Sequence, residues 1–331
     1  MSESQAWREA AATQAALRGW RREGRIDAAV AARAHAALGG DPSPSQWRWF
    51  LDRSALWLGV ALCAAGAICF IAANWDELGK FARLFGLQAA LVLATLAAAR
   101  LGPTRVSGQA ALWLATLLLG GLLALIGQTY QTGADMWELF ALWAVLALPW
   151  AIAGRSPALW WQWLLLANVA YALWLGLHRG VWFGHFEAPA AELGLFNALL
   201  LMLWHAAGTR WAECSGSTGR RLLAAAMVAF LSFAAMDAIL GREDASPMPI
   251  VLWLLATLIA GAAHLRLRRD LVVLATLALG TIAVVTAALV EALLEHNDDS
   301  AIAYLAIAVA VVAQATVAAM ALRRLARGEA A

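Results

Sequence analysis

Charged residues are scarce in this chain of 331 residues. They make up 14% of the sequence, whereas hydrophobic residues make up 63% and the mean hydropathy is +0.68. An average soluble domain is about a quarter charged and about half apolar. The composition therefore excludes an ordinary soluble domain and indicates an integral membrane protein.

Sequence motifs for enzyme or metal chemistry are also lacking. Three cysteines occur, without the Cys/His spacing typical of zinc, and the HExxH, GxSxG and Walker motifs are absent. Cys63 and Cys69 fall in one apolar run on different sides of a helix, and Cys214 falls in a loop, so we expect no disulfide. We expect no metal and no cofactor. No catalytic residue is indicated, which makes an intramembrane enzyme the least favoured function class.

Long apolar runs are what the sequence has instead. Crossing a bilayer as a helix takes roughly 20 apolar residues. The runs are rich in Ala, Leu and Val and do not alternate with polar residues, which excludes barrel strands and leaves helices. The predicted fold is all-α: a polytopic membrane helix bundle of about ten transmembrane helices within residues 54–322, followed by a tail of residues 323–331. The runs lie near residues 54–75, 81–101, 106–126, 136–153, 157–177, 189–208, 220–240, 248–266, 270–294 and 300–322.

Basic residues are distributed unevenly among the predicted loops. With a cytoplasmic N-terminus, the outer side receives only these members of the 24 Lys and Arg residues: Lys80, Arg83, Arg179 and Arg242. This bias follows the positive-inside rule and predicts that both termini are cytoplasmic. More than half of the 22 Asp and Glu residues fall outside. They are either solvated loop and cap residues or an acidic vestibule that concentrates cations or amines.

Residues 1–45 precede the first apolar run. They predict a short cytoplasmic helical hairpin that is broken around Gly24 and whose second helix is capped by Asp27. Residues 46–53 are the predicted linker and membrane entry. Because the hairpin has too few large apolar residues for a core of its own, we expect it to contact membrane lipids or a cytoplasmic protein partner. Its small excess of basic residues argues against binding of nucleic acid, and the sequence leaves the oligomeric state open.

The stretch "IAANWDELGKFAR" at residues 71–83 interrupts two apolar runs with a group of polar residues. Asn74 and Glu77 have the spacing of a capping box, which predicts that they start the second span. Asp76 and Lys80 are one helical turn apart, a spacing that favours an ion pair. Helix capping and turn formation explain this stretch without any function.

A second stretch, "IGQTYQTGADMWELFALW" at residues 126–143, repeats the device before the fourth span. Asp135 and Glu138 again have capping-box spacing, and Gly133 is available for a tight turn. Either the two stretches are caps and turns alone, or they form one binding site for a cation or amine. The predicted substrate-binding residues, including two near the outer ends of spans seven and nine, are Asn74, Asp76, Glu77, Gln128, Tyr130, Asp135, Glu138, Asp237 and Glu291.

Polar residues also occur near the middle of spans, where they are costly in lipid and tend to face the bundle interior. They are Gln88, Asn168, Asn197 and Gln314. Hydrogen bonds between helices are one explanation. A polar path across the bundle is the other.

Both polar stretches carry a resemblance. "FIAANWDELGKFARL" and "IGQTYQTGADMWELFALWAVLALP", with a short helical N-terminal domain before them, resemble bacterial predicted inner-membrane proteins of the domain-of-unknown-function 2157 family. The Ala-Asn-Trp triplet and the Gly-Gln-x-Tyr run carry the likeness, which covers about residues 5–155. The resemblance implies a multi-pass protein of the bacterial inner membrane and assigns it no activity.

Two main function classes follow. The first is transport, or handling of lipids or other envelope-related small molecules, through the outward-facing acidic site. The second is a membrane sensor, scaffold or assembly factor that acts through residues 1–45. Stabilisation by a ligand would separate them, because a binding protein gains stability from its ligand by mass action.

Overall fold

The fold comes from a computed structural model that describes residues 13, 16–17, 19–21, 23–37, 44–74, 77–179, 187–208, 216–241, 246–266, 270–294 and 300–327. All regular structure in these ranges is helical. Ten of the helices are long and apolar enough to cross a membrane. The predicted all-α membrane helix bundle is thus confirmed.

The helices that the structure describes follow one another with short connections. They are α1 (Ala28–Ala37), α2 (Pro44–Ala73), α3 (Lys80–Leu101), α4 (Val106–Tyr130), α5 (Met136–Gly154), α6 (Pro157–Arg179), α7 (Glu187–Ala207), α8 (Ser217–Leu240), α9 (Met248–Arg266), α10 (Leu271–Leu294) and α11 (Ser300–Arg327). Residues 46–53, which were expected as a linker and membrane entry, are helical and form the first turns of α2.

The chain divides into two compact units, residues 1–70 and residues 71–331. In the first unit Gly24 has a φ of +69°, and the Asp27 carboxylate accepts the N–H of Val30 at 2.6 Å, which caps α1. The pairing of two helices in the predicted hairpin depends on residues outside the described ranges and stays a prediction. Cys63 and Cys69 are free thiols.

Helices α3 to α8 of the second unit pack in chain order, and α8 also contacts α9 and α10. Successive helices run in opposite directions because their connections are short. Two ends of this unit can therefore be named. We call the end with Arg105, Arg155 and Arg221 the basic end, and the end with Asp135, Glu138 and Asp237 the acidic end.

Close helix contacts in this unit use glycine, as expected where lipid gives helices no hydrophobic reason to associate. A Cβ on Gly120 of α4 would lie 2.4 Å from the Trp143 ring of α5, and one on Gly194 of α7 would lie 2.5 Å from Leu231 of α8. The Trp143 indole N–H also donates to the backbone oxygen of Thr116 at 2.8 Å. Helices α4 and α5 are thereby held together by shape and by a hydrogen bond.

The mid-span amides behave in two ways. Asn197 of α7 is fully buried and donates to the Asn168 side-chain oxygen of α6 at 2.7 Å. The predicted hydrogen bond between helices is confirmed for this pair. Gln88 lies on the exposed surface of α3, and Gln314 of α11 is half-buried.

Candidate functional site

The first polar stretch does not cap a helix as predicted. Helix α3 begins at Lys80 with Gly79 as its N-cap, and no side chain caps it. The backbone oxygen of Asn74 accepts the N–H of Leu78 at 2.9 Å, before α3 begins. The prediction that Asn74 and Glu77 start the second span is therefore wrong. Glu77 is exposed.

The ion pair predicted between Asp76 and Lys80 stays a prediction. Asp76, with its predicted ion pair to Lys80, lies outside the described residues. The Lys80 ammonium lies 5.2 Å from the centre of the Phe81 ring, a cation–π distance.

The second polar stretch is a capping box. Asp135 and Glu138 make the reciprocal bonds, with the Glu138 carboxylate accepting the N–H of Asp135 at 3.2 Å. Both side chains are exposed. Gln131 ends α4 in the left-handed conformation, and Gly133 turns with a φ of +67°. Capping and turn chemistry thus account for the backbone here, and the carboxylate of Glu138 is already engaged in it.

The other predicted site residues at the acidic end are spread over several helices. Gln128 is exposed in the last turn of α4, and Tyr130 ends that helix with 55% of its surface exposed. Asp237 of α8 and Glu291 of α10 are both half-buried.

Asp237 and Glu291 lie at different depths. Gly280 of α10 packs against Ser232 of α8, and both helices run from there toward the acidic end. At about 1.5 Å per residue, Asp237 is roughly 7–8 Å and Glu291 roughly 16 Å beyond that contact. The two carboxylates therefore lie toward the same end of the bundle but at different depths along the helices.

Two grooves flank the α7–α8 pair and contain none of the predicted site residues. The first, which we call the α6-side groove, has a volume of about 770 Å³ and lies in the acidic half. Its lining comes from α6, α7 and α8 and is apolar throughout: Val169, Ala172, Leu173, Gly176, Pro189, Ala190, Leu193, Ala229, Phe230 and Phe233.

The second, the α9-side groove, has a volume of about 550 Å³ and runs along α9 from Leu252 to the basic end at His264. Helices α7, α8 and α9 form its walls, with Val273 of α10 at the base. Apolar residues line it except at the basic end, where the imidazoles of His205 and His264 face it. Volumes of several hundred Å³ are typical of sites for small organic ligands.

Charged residues surround the basic end of the α9-side groove. Nε of Arg221, in the first turn of α8, lies 3.0 Å from each carboxylate oxygen of Asp270, which precedes α10. Burial alone would raise the pKa of Asp270, but the hydrogen bond from Arg221 and the backbone N–H of Val272 hold this pKa below its ordinary value. Asp270 is therefore a carboxylate at neutral pH and ties α8 to α10.

Sequence reasoning missed both grooves. Apolar residues that line a groove have the same spacing as residues that contact lipid or a neighbouring helix, so no local pattern marks them. His205 and His264 each stand at a helix end beside arginines, where favourable helix-end electrostatics already explains them. Their convergence on one groove follows only from the packing of α7 against α8 and of α8 against α9.

The fold defines a polytopic α-helical membrane protein. Within it, residues 18–160 match the family described as "Predicted membrane protein (DUF2157)". The resemblance in the two polar stretches is thereby confirmed. No curated protein and no solved structure matches the chain significantly. Both grooves are lined by residues beyond the matched region, so the family description says nothing about them.

Proposed function

We propose that this membrane protein binds amphiphilic, lipid-like molecules from the bilayer and passes them along the α7–α8 pair. The observation that carries the proposal is the placement of two apolar grooves on that pair, one in the acidic half and one that reaches the basic end. An amphiphile entering either groove buries its hydrocarbon chain against fixed side chains. The grooves thus support the lipid-handling branch of the expected function better than binding of a small cation.

The rigidity of the α7–α8 pair supports a role as the fixed wall of the path. Gly194 lets α7 approach Leu231, and Gly219 in the first turn of α8 lies against the Trp204 indole of α7. A helix pair held this closely changes shape little, so movement of α6 or α9 against it would open or close each groove.

Helix α9 offers a matched pair of positions for a test. Leu255 lines the α9-side groove and is 50% exposed, whereas Leu258 lies on the same helix, outside the groove lining, and is 60% exposed. A photoreactive diazirine amino acid is placed at one or the other position. The protein is purified in detergent and irradiated, and mass spectrometry measures the lipid attached.

The proposal predicts lipid adducts at position 255 well above those at position 258, because lipid held in the groove survives extraction and bulk lipid does not. Equal labelling at both positions would mean ordinary bilayer contact and would contradict the proposal. The predicted acidic site at the outer ends stays a separate hypothesis.

A second proposal concerns partners. Helix α1 has no buried residue, and residues 1–70 form a compact unit of their own. We propose that residues 1–45 contact a cytoplasmic protein, as a sensor or scaffold would. Proximity labelling in cells from the full chain and from a chain lacking residues 2–40 tests this. A partner that is labelled equally by both chains would contradict it.

A further inference from the structure

We propose that the α9-side groove is a site for an anionic phospholipid, with the headgroup held at the basic end by His264, His205 and Arg220. This inference rests on the proposed function and names the class of lipid. The lining supplies the first argument. Fifteen residues line the groove, and only His205 and His264 among them carry polar side chains. The groove is therefore apolar along its length and polar at one end, which matches a lipid with hydrocarbon chains and one polar headgroup.

The burial of His264 is the second argument. This imidazole is only 8% exposed and lines the groove within electrostatic range of His205, Arg220 and Asp270. Polar groups buried this deeply are costly unless something compensates them. A phosphate oxygen at the end of the groove would accept a hydrogen bond from the imidazole and complement the basic surroundings.

The charges around that end favour an anion. The charged groups that the structure describes there are Arg220, Arg221, Arg266 and Asp270. Arg221 engages both oxygens of the single carboxylate. Among the charged residues that the structure describes at this end, cations therefore outnumber anions.

The start of α8 adds to the attraction. Its N-cap, Gly216, makes no side-chain cap, and the first-turn N–H groups of a helix favour negative charge. Arg220 lies in that first turn, where the positive end of the helix dipole is unfavourable for a cation. An anion at this point would interact favourably with the N–H groups of the helix terminus.

His205 has a defined role in such a site. Its Nδ1 lies 2.8 Å from the backbone oxygen of Leu201. Because a carbonyl oxygen can only accept, Nδ1 carries a proton and Nε2 is the atom left for a ligand.

The test compares phosphatidylglycerol with phosphatidylcholine of identical acyl chains, added to the purified full chain in detergent. Native mass spectrometry measures the dissociation constant, and a thermal melt measures the gain in stability. We expect phosphatidylglycerol to bind at least about tenfold more tightly, which corresponds to about 1.4 kcal/mol. His205→Gln, His264→Gln and Arg220→Gln should each remove most of this preference. Arg323→Gln, which removes an exposed charge on α11, should keep it.

A second readout leaves His205, His264 and Arg220 unchanged and so guards against misfolding of the headgroup variants. With the diazirine amino acid at position 258 or 255, the protein is irradiated in vesicles that contain both lipids in equal amounts. The proposal predicts a higher share of phosphatidylglycerol among adducts at position 255 than at position 258. Adducts at position 255 without this enrichment would overturn the headgroup inference and leave the groove function intact. Loss of preferential labelling at position 255 would overturn both.

Discussion

At the scale of single residues, two stretches with the same spacing have different structures. Asp135 and Glu138 form a capping box at the start of α5, whereas α3 begins at Lys80, after Gly79, and not at Asn74. The spacing is the same, but the backbone oxygen of Asn74 bonds to the N–H of Leu78, and the next helix begins only after Gly79, which is extended. Local spacing predicts a cap only where a helix begins at once, and the sequence does not show where the preceding helix has ended.

The capping difference gives a first prediction. Glu138→Ala removes the acceptor for the N–H of Asp135 and a negative charge from the first turn of α5, and should lower stability by about 0.3–1 kcal/mol. Glu77→Ala removes an exposed loop carboxylate and should change stability by less than about 0.5 kcal/mol. Thermal melts of both variants in detergent measure the difference. Equal losses would contradict the two assignments.

A second prediction concerns the contact between Gly120 and Trp143. A Cβ at position 120 would lie 2.4 Å from the indole ring, so Gly120→Ala should force α4 and α5 apart and cost about 1–3 kcal/mol. Gly261→Ala on α9 is the control, because nothing lies within 4 Å of its Cβ. It should leave the melting temperature unchanged or raise it slightly, since alanine favours a helix. If Gly120→Ala left the melting temperature unchanged, the close contact between Gly120 and Trp143 would be contradicted.

Among the helices of the second unit, α8 connects several neighbours and both grooves. It contacts α7, α9 and α10, takes part in both grooves, and is tied to α10 through Arg221 and Asp270. The ten spans were predictable because length and apolar content alone identify them. The grooves were not, because they depend on which helices become neighbours, and helix packing in lipid is decided by small residues and single hydrogen bonds.

The ion pair gives a third prediction, with a sign set by the lowered pKa of Asp270. A carboxylate whose pKa falls below its ordinary value of 3.8 contributes stability above that pH and loses it as the pH drops through the folded pKa. Arg221→Gln removes the hydrogen bond that lowers the pKa of Asp270, whereas burial still raises it. The pKa of Asp270 should therefore rise. The variant should lose about 1 kcal/mol near neutral pH, a figure discounted because Arg221 is 40% exposed.

The measurement is unfolding of wild type and Arg221→Gln at about pH 7 and at about pH 3. The difference in stability between wild type and Arg221→Gln should be largest at the higher pH and should shrink on acidification. In wild type, protonation of Asp270 removes its attraction to Arg221. In the variant, protonation removes a buried charge that has no arginine beside it. A gap that is constant with pH would contradict the role given to this pair.

At the scale of the whole molecule, the basic and acidic ends predict an orientation. We propose that the basic end faces the cytoplasm of a bacterial inner membrane, following the positive-inside rule. Reporter fusions after residues 102 and 155 should then read cytoplasmic, and fusions after residues 78 and 133 should read external. These positions fall in connections between described helices. Two reversed reporters would contradict the orientation.

A density map of the protein in a lipid nanodisc would show whether lipid occupies the α9-side groove. We expect elongated density along Leu201, Met202 and Leu255 that ends in a compact headgroup density beside His264 and Arg220. A map in which α9 has closed onto α7 and leaves no space between Met202 and Leu255 would contradict this expectation.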